Sequence, residues 1–218
     1  MFRGDTLFSV IFDMDGTLLD TQRIYIPAWD YAGGLQGIND LGRHTAIVCG
    51  MNDAGWMAYL REHFPHIDMD VFVKDVVKYV DENLVVRFMP GAEKLLKLLK
   101  QKGVKIALAS GTNSKKIKSH LKKVGATEYI DVIVGGEEVQ NGKPAPDVFL
   151  LAAKRLGANP GDCYVLEDSQ NGVRSGYAAG MKCIGIPDVA VFEEDVKNML
   201  TAEFKSLNEA ANYFEKLF

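Results

Sequence analysis

The chain has 218 residues, 47% hydrophobic and 25% charged, with a formal net charge of −4 at pH 7. That composition supplies a full apolar core and excludes a disordered chain. The absence of a basic run speaks against a nucleic-acid partner, whose affinity rests on phosphate contacts, and no apolar stretch approaches the roughly 20 residues of a membrane span.

In chain order, residues 1–5 are polar and lack the basic region, apolar core and cleavage site of a signal peptide, so a cytoplasmic location is the expectation. Residues 7–12 predict the first strand, which ends at Asp13-Met14-Asp15-Gly16-Thr17. From about residue 17 to 87 no convincing strand follows; 25–31, 54–63 and 69–84 carry helix-compatible spacing, which predicts an all-helical insertion. His63 and His66 flank Pro65 there and read as surface or loop residues.

Pro90 stands at a plausible first position of a helix over 92–100, with Gly103 as its stop. A strand over 104–109 ends at Ser110-Gly111-Thr112, and a helix over 114–124 stops at Gly125. After a strand over 132–134 comes Gly142-Lys143-Pro144-Ala145-Pro146, then a helix over 148–156 that stops at Gly157. The strand 164–166 ends at Glu167-Asp168-Ser169 and precedes a helix over 173–179 that stops at Gly180. Strands over 183–186 and 202–204 and a helix from Ser206 to about 217 complete the chain, with Ser206 and Glu209 at capping-box spacing.

This alternation predicts an α/β fold, a Rossmann-like parallel sheet flanked by helices, with the helical segment inserted after the first strand. Cys49, Cys163 and Cys183 are an odd number at wide spacing, which fits buried fillers better than disulfides or zinc. Nothing in the sequence requires more than a monomer.

Taken singly, the polar strand ends have ordinary explanations. Asp15-Gly16 makes a turn, Ser110 to Thr112 cap a helix, Lys143 is a loop lysine, and Glu167-Asp168 suit a helix entry. In one sheet, however, they converge, because open parallel sheets gather their ligands at the carboxyl ends of strands. Asp13, Asp15, Glu167 and Asp168 would then repel by about 4 kcal/mol per pair about 4 Å apart at an effective dielectric of about 20. Lys143 offsets only part of that, and an oxygen-only donor set selects a hard ion such as Mg²⁺.

The chemistry expected is phosphoryl transfer. Mg²⁺ and Lys143 neutralise phosphoryl oxygens, Ser110, Gly111 and Thr112 hold them, Asp13 attacks phosphorus, and Asp15 serves as acid and then base.

In their order, Asp13-Met14-Asp15-Gly16-Thr17, Ser110, Lys143 in Gly-Lys-Pro-Ala-Pro-Asp, and Glu167-Asp168-Ser169 resemble the four motifs of the haloacid dehalogenase superfamily, in its β-phosphoglucomutase and phosphatase branch. The resemblance covers essentially the whole chain. It implies a core of residues 1–16 and 88–218 and a helical cap of residues 17–87. It makes Asp13 the nucleophile and a metal ligand, Asp15 the acid/base with its carbonyl on the metal, Ser110 and Lys143 phosphate binders, and Asp168 a metal ligand with Glu167 beside it. Asp15 argues against dehalogenation itself, which in the family does without this aspartate and without metal.

In such families the cap selects the leaving group. Arg43, His44 and Asn52 are the expected substrate contacts, with Tyr25, Met51 and Trp56 as further candidates; Met51 and Trp56 read more readily as cap core, and Arg43 as a solvated charge. The cap histidine and arginine of the mutases are replaced by Tyr25 and by Met51-Asn52-Asp53, so hydrolysis of a small phosphate monoester ranks first. A phosphomutase ranks second, phosphonate cleavage third because the first cap lysine is Lys74, and a non-catalytic phosphate- or partner-binding module stands as the other class.

Overall fold

The apolar runs read as strands pair into one six-stranded sheet. The computed structural model describes residues 8–189 and 191–218, so the readings on residues 1–5 and on Leu7 lie outside the described residues. The strands are β1 (Ser9–Phe12), β2 (Ile106–Ala109), β3 (Val132–Val134), β4 (Cys163–Glu167), β5 (Lys182–Gly185) and β6 (Leu200–Glu203). Their order is β3-β2-β1-β4-β5-β6, and every neighbouring pair is parallel.

Between β1 and β2 lie α1 (Tyr25–Leu35), α2 (Thr45–Val48), α3 (Asp53–His63), α4 (Met69–Asn83) and α5 (Ala92–Gln101). The later strands are separated by α6 (Ser114–Lys123), α7 (Asp147–Leu156), α8 (Gln170–Ala178) and α9 (Glu194–Lys197), and α10 (Leu207–Glu215) ends the fold. Among the described residues, no helix is long and apolar enough to cross a membrane.

Strand alternation sends successive side chains to opposite faces of the sheet. Val10 and Phe12 join Leu95, Leu96 and Leu99 of α5 and Leu207 and Phe214 of α10 on one face. Ile11 joins Phe149 and Ala152 of α7 and Val173 of α8 on the other. Both faces are therefore covered, as a parallel sheet requires.

A third core belongs to the helical segment, where Ala28, Trp29, Leu41, Leu60, Phe72, Val76 and Val80 pack together. That arrangement is consistent with a cap. The chain leaves and re-enters the sheet layer at adjoining points: Asp20 N–H donates to the Arg87 carbonyl at 2.9 Å and Met89 N–H to the Leu18 carbonyl at 3.0 Å. Although α5 precedes β2, it packs on the sheet with α10.

Gly125, Gly157 and Gly180 take the left-handed conformation expected of helix stops, at φ 70°, 66° and 74°. Two local expectations are corrected. Pro90 is not the first helical residue; Gly91 occupies the N-cap at φ 90°, and the helix starts at Ala92. A Cβ on Gly91 would overlap the backbone of Asn208, so the approach of α10 sets the turn. Nor does Ser206 form a capping box: its side chain makes no cap bond, and Glu209 instead accepts from Lys205 N–H at 3.0 Å.

Candidate active site

β1 is paired with β2 on one side and β4 on the other, so the strand order turns at β1 and a crevice opens beyond the carboxyl ends of these three strands. Asp13 follows β1, Ser110 follows β2, and Glu167 and Asp168 close β4. The sheet register fixes this convergence, with Asp13 N–H donating to the Leu166 carbonyl at 3.0 Å and Ser110 N–H to the Val134 carbonyl at 3.1 Å.

Lys143 comes in from the loop before α7 and is almost wholly buried. Its ammonium donates to Asp13 Oδ1 at 2.5 Å, to Glu167 Oε1 at 2.6 Å and to the Ala109 carbonyl at 3.3 Å. The second oxygen of Glu167 accepts from the Ser169 amide and hydroxyl, both at 2.9 Å. Asp168 accepts from the Thr17 hydroxyl at 3.0 Å and faces the Cys49 thiol at 3.7 Å. Gly16 makes room for it: at φ +84° no L side chain sits easily, and a Cβ there would overlap Asp168 Oδ2.

Asp15 is turned the other way, towards hydroxyls. It accepts from Thr21 at 2.5 Å, Thr112 at 2.7 Å and Ser110 at 3.2 Å. The Ser110 hydroxyl also accepts from Thr112 N–H at 3.0 Å, which ties the loop after β2 to the same carboxylate.

The charge balance of the buried cluster suits a cation. Carboxylate oxygens of Asp13, Glu167 and Asp168 lie within 4.8 Å of one another. Three carboxylates and one ammonium sum to −3 + 1 = −2 if all are ionised. Burial pushes Asp13 well above the usual carboxylate range; Lys143 opposes that, and Glu167 and Asp15 add to it. Burial likewise raises Asp168, reinforced by the charges of Glu167 and Asp13. Burial alone would lower Lys143, but Asp13 and Glu167 outweigh it and raise the ammonium above its ordinary value. An oxygen-only, electron-rich donor set of this kind is consistent with a metal site.

Between the strand ends and the helical segment lies a cavity of about 250 Å³. Asp13, Asp15, Ser110, Gly111 and Thr112 form its floor, and Tyr25, Met51 and Trp56 line its walls. Arg43, His44 and Asn52 are not brought to it. His44 Nδ1 is 2.7 Å from the Tyr59 hydroxyl and its ring meets Phe64 edge-on, while Arg43 is exposed beside it. Asn52 caps α3 by accepting from Gly55 N–H at 3.0 Å, and its side chain fills the space that a Cβ on Gly142 would need, 2.6 Å from Asn52 Cγ. These three residues thus serve the insertion and its contact with the core.

Other lining residues escaped the sequence reading, among them Gln22, Trp29, Cys49, Gly50 and Lys116. Thr21, which holds Asp15, was missed as well. For Lys116 a signal existed: lysines in the first turn of α6 run against the helix dipole, which favours acids there. The three cysteines are free and buried, as expected.

The chain matches the haloacid dehalogenase-like hydrolase family over residues 9–180. It belongs to that family. As a haloacid dehalogenase-like hydrolase it is a phosphatase, a phosphoric monoester hydrolase. It is similar to the phosphorylated carbohydrates phosphatase of Thermotoga maritima, at 34% identity over 81% of this chain and 83% of that protein. It also resembles the bifunctional riboflavin kinase/FMN phosphatase of Arabidopsis thaliana, at 34% identity over 83% of this chain, but it spans only 48% of that longer protein. In fold it matches the β-phosphoglucomutase of Clostridium difficile with a TM-score of 0.80 at 24% identity, over 97% of this chain and 96% of that one. That likeness shows the fold, a parallel sheet with a helical segment between β1 and β2.

Proposed function

We propose that this hydrolase cleaves a small phosphate monoester, a sugar phosphate or similar metabolite, through an aspartyl-phosphate on Asp13 with Mg²⁺ as its cofactor. The observation that carries the reading is the position of Asp13: it lies on the cavity floor, held by Lys143 at 2.5 Å, with Glu167 and Asp168 next to it. The phosphatase named for phosphorylated carbohydrates supports the substrate class. Residues 17–87 are proposed as the cap and residues 1–16 and 88–218 as the core.

Asp13 and Asp168 would hold the ion with the Asp15 carbonyl, and Glu167, whose oxygens already bind Lys143 and Ser169, would act mainly by fixing that lysine. When bound, Mg²⁺ supplies positive charge that lets a carboxylate approach a phosphate dianion.

An Asp13 carboxylate oxygen attacks phosphorus as the bond to the leaving oxygen breaks, and Asp15 gives that oxygen its proton. Water then attacks the aspartyl-phosphate, Asp15 takes a proton back, and the bond between phosphorus and the Asp13 oxygen breaks to release phosphate. Thr21 keeps the Asp15 carboxylate aimed at the reacting oxygen, joined by Ser110 and Thr112 while the site is empty of substrate. Lys143 stays charged throughout, and Gly111, with the Ser110 and Thr112 hydroxyls turning from Asp15, receives the phosphoryl oxygens.

The decisive experiment is release of phosphate from an aryl phosphate with and without Mg²⁺, using wild type and Asp13→Asn. Asp13→Asn should lower kcat at least about 10⁴-fold, as losing a covalent nucleophile does, in a chain shown to be folded by far-ultraviolet circular dichroism. Retained turnover in that variant refutes the assignment. No turnover by well-folded wild type favours a binding module. The mutase reading rests on the fold, and isomerised sugar phosphate that depends on a bisphosphate primer, in place of free phosphate, would establish it.

A further inference from the structure

The cavity above Asp13 has one cationic side chain, Lys116, in a wall that is mostly apolar, with Gln22, Thr45, Asp53 and Asn113 as its further polar members. Trp29, Val48, Met51, Trp56, Met57 and Val76 close it on the insertion side. Lys116 reaches it from the first turn of α6, where its ammonium donates to the Tyr25 hydroxyl at 2.9 Å and lies 5.6 Å from the ring centroid. Among the described residues Lys116 has no carboxylate within ion-pair distance; the Tyr25 hydroxyl holds it, and Asp15 and Asp81 act on its charge from farther away. Burial works against the ammonium, but Tyr25 and Asp15 outweigh it and raise Lys116, while burial raises Tyr25 and keeps its hydroxyl protonated.

Such walls discriminate between leaving groups. A polyol would turn several hydroxyls to tryptophan, methionine and valine, with Gln22 and Asn113 as partners for some of them, and each one left unpaired is penalised. A group with an apolar ring and a single anionic substituent leaves nothing unpaired, provided that the substituent meets Lys116 and Tyr25. The volume of about 250 Å³ must also contain the phosphoryl group, and it lies just below the usual range of ligand pockets, about 300 to about 1,000 Å³. A single ring fits that space.

We infer that this site is built for a phosphate monoester whose leaving group is one largely apolar ring bearing a carboxylate, with the ring against Trp29 and Trp56 and the carboxylate on Lys116 and Tyr25. The inference rests on the phosphatase reading and, among its small monoesters, places the ring acid ahead of the sugar phosphate.

Trp29 and Trp56 are the chain's two tryptophans, so intrinsic fluorescence reports the cavity without any turnover. Wild type is titrated in Mg²⁺ with benzylphosphonate, 4-carboxybenzylphosphonate and the phosphonate analogue of glucose 6-phosphate. The carboxylated ring should bind about 10-fold or more tightly than the plain ring, the worth of a charge-assisted hydrogen bond, and the polyol most weakly. Lys116→Gln should collapse the ratio between the two rings towards one, and Lys116→Arg, which keeps the charge, should retain most of it. The inference is overturned by equal binding of the two rings to wild type, by a preference that survives Lys116→Gln in folded protein, or by tightest binding of the polyol. Phosphate release from the matching aryl phosphates is followed separately: selective binding without release would sink the phosphatase reading and leave the pocket assignment standing.

Discussion

Lys143 serves two buried carboxylates at once, so its loss leaves both of them uncompensated. Its partners Asp13 and Glu167 are 5% and 0% exposed at their side chains, so solvent cannot replace the ammonium. Removing one member of a buried charge pair costs about 3–5 kcal/mol because the other charge is left uncompensated. Lys143→Met should therefore lower unfolding free energy by about that amount in urea titrations without metal, and Glu167→Gln in the same chain should restore part of it. At this scale the sequence was informative wherever a polar residue closed an apolar strand: Asp13, Ser110, Glu167 and Asp168 were legible. Thr21 was not, because it reaches Asp15 only after the chain folds back within a loop that has no periodic pattern. The same limit holds for Arg43 and His44, whose charge made them candidates but whose neighbours Tyr59 and Phe64 draw His44 into the insertion.

At the scale of elements, the insertion is stabilised by its own apolar cluster. Phe72 is fully buried there and meets Trp29 edge-on with ring centroids 5.6 Å apart. Phe72→Ala should cost about 3–5 kcal/mol, and the loss should fall on this segment first. Because both tryptophans lie in it, fluorescence in denaturant should report an earlier transition in the variant than far-ultraviolet circular dichroism. Coincident transitions would argue against treating residues 17–87 as a separate unit. Helix and strand identities followed from apolar spacing and glycine stops, whereas the ends moved by a residue or two where neighbouring elements decide them. The shift from Pro90 to Gly91 is an example, since the partner that demands a glycine, Asn208, is distant in sequence.

For the whole molecule, the acidic cluster links stability to pH and to metal. Burial, with help from neighbouring carboxylates, raises Asp13 and Asp168 above the ordinary value of 3.8. The folded chain then binds protons that the unfolded chain has already released, so unfolding free energy falls as pH rises from 3.8 through the raised values. Metal-free protein should melt at progressively lower temperature across that window, and Asp168→Asn should flatten the trend. At neutral pH, Mg²⁺ at about 100 times its dissociation constant should restore about 2.7 kcal/mol by mass action. A melting temperature that ignores Mg²⁺ would count against the metal assignment.

From the sequence alone came the α/β class, the place of the helical insertion and the acids, serine and lysine at the strand ends, because periodicity and punctuation are local properties that a strand or helix imposes on its own residues. The tertiary structure decided which of those groups touch, that Lys143 divides itself between Asp13 and Glu167, and that Lys116 and the two tryptophans face the cavity while Arg43 and His44 do not. Those outcomes depend on contacts between residues far apart in the chain, and such contacts are set by how sheet, helices and insertion pack together.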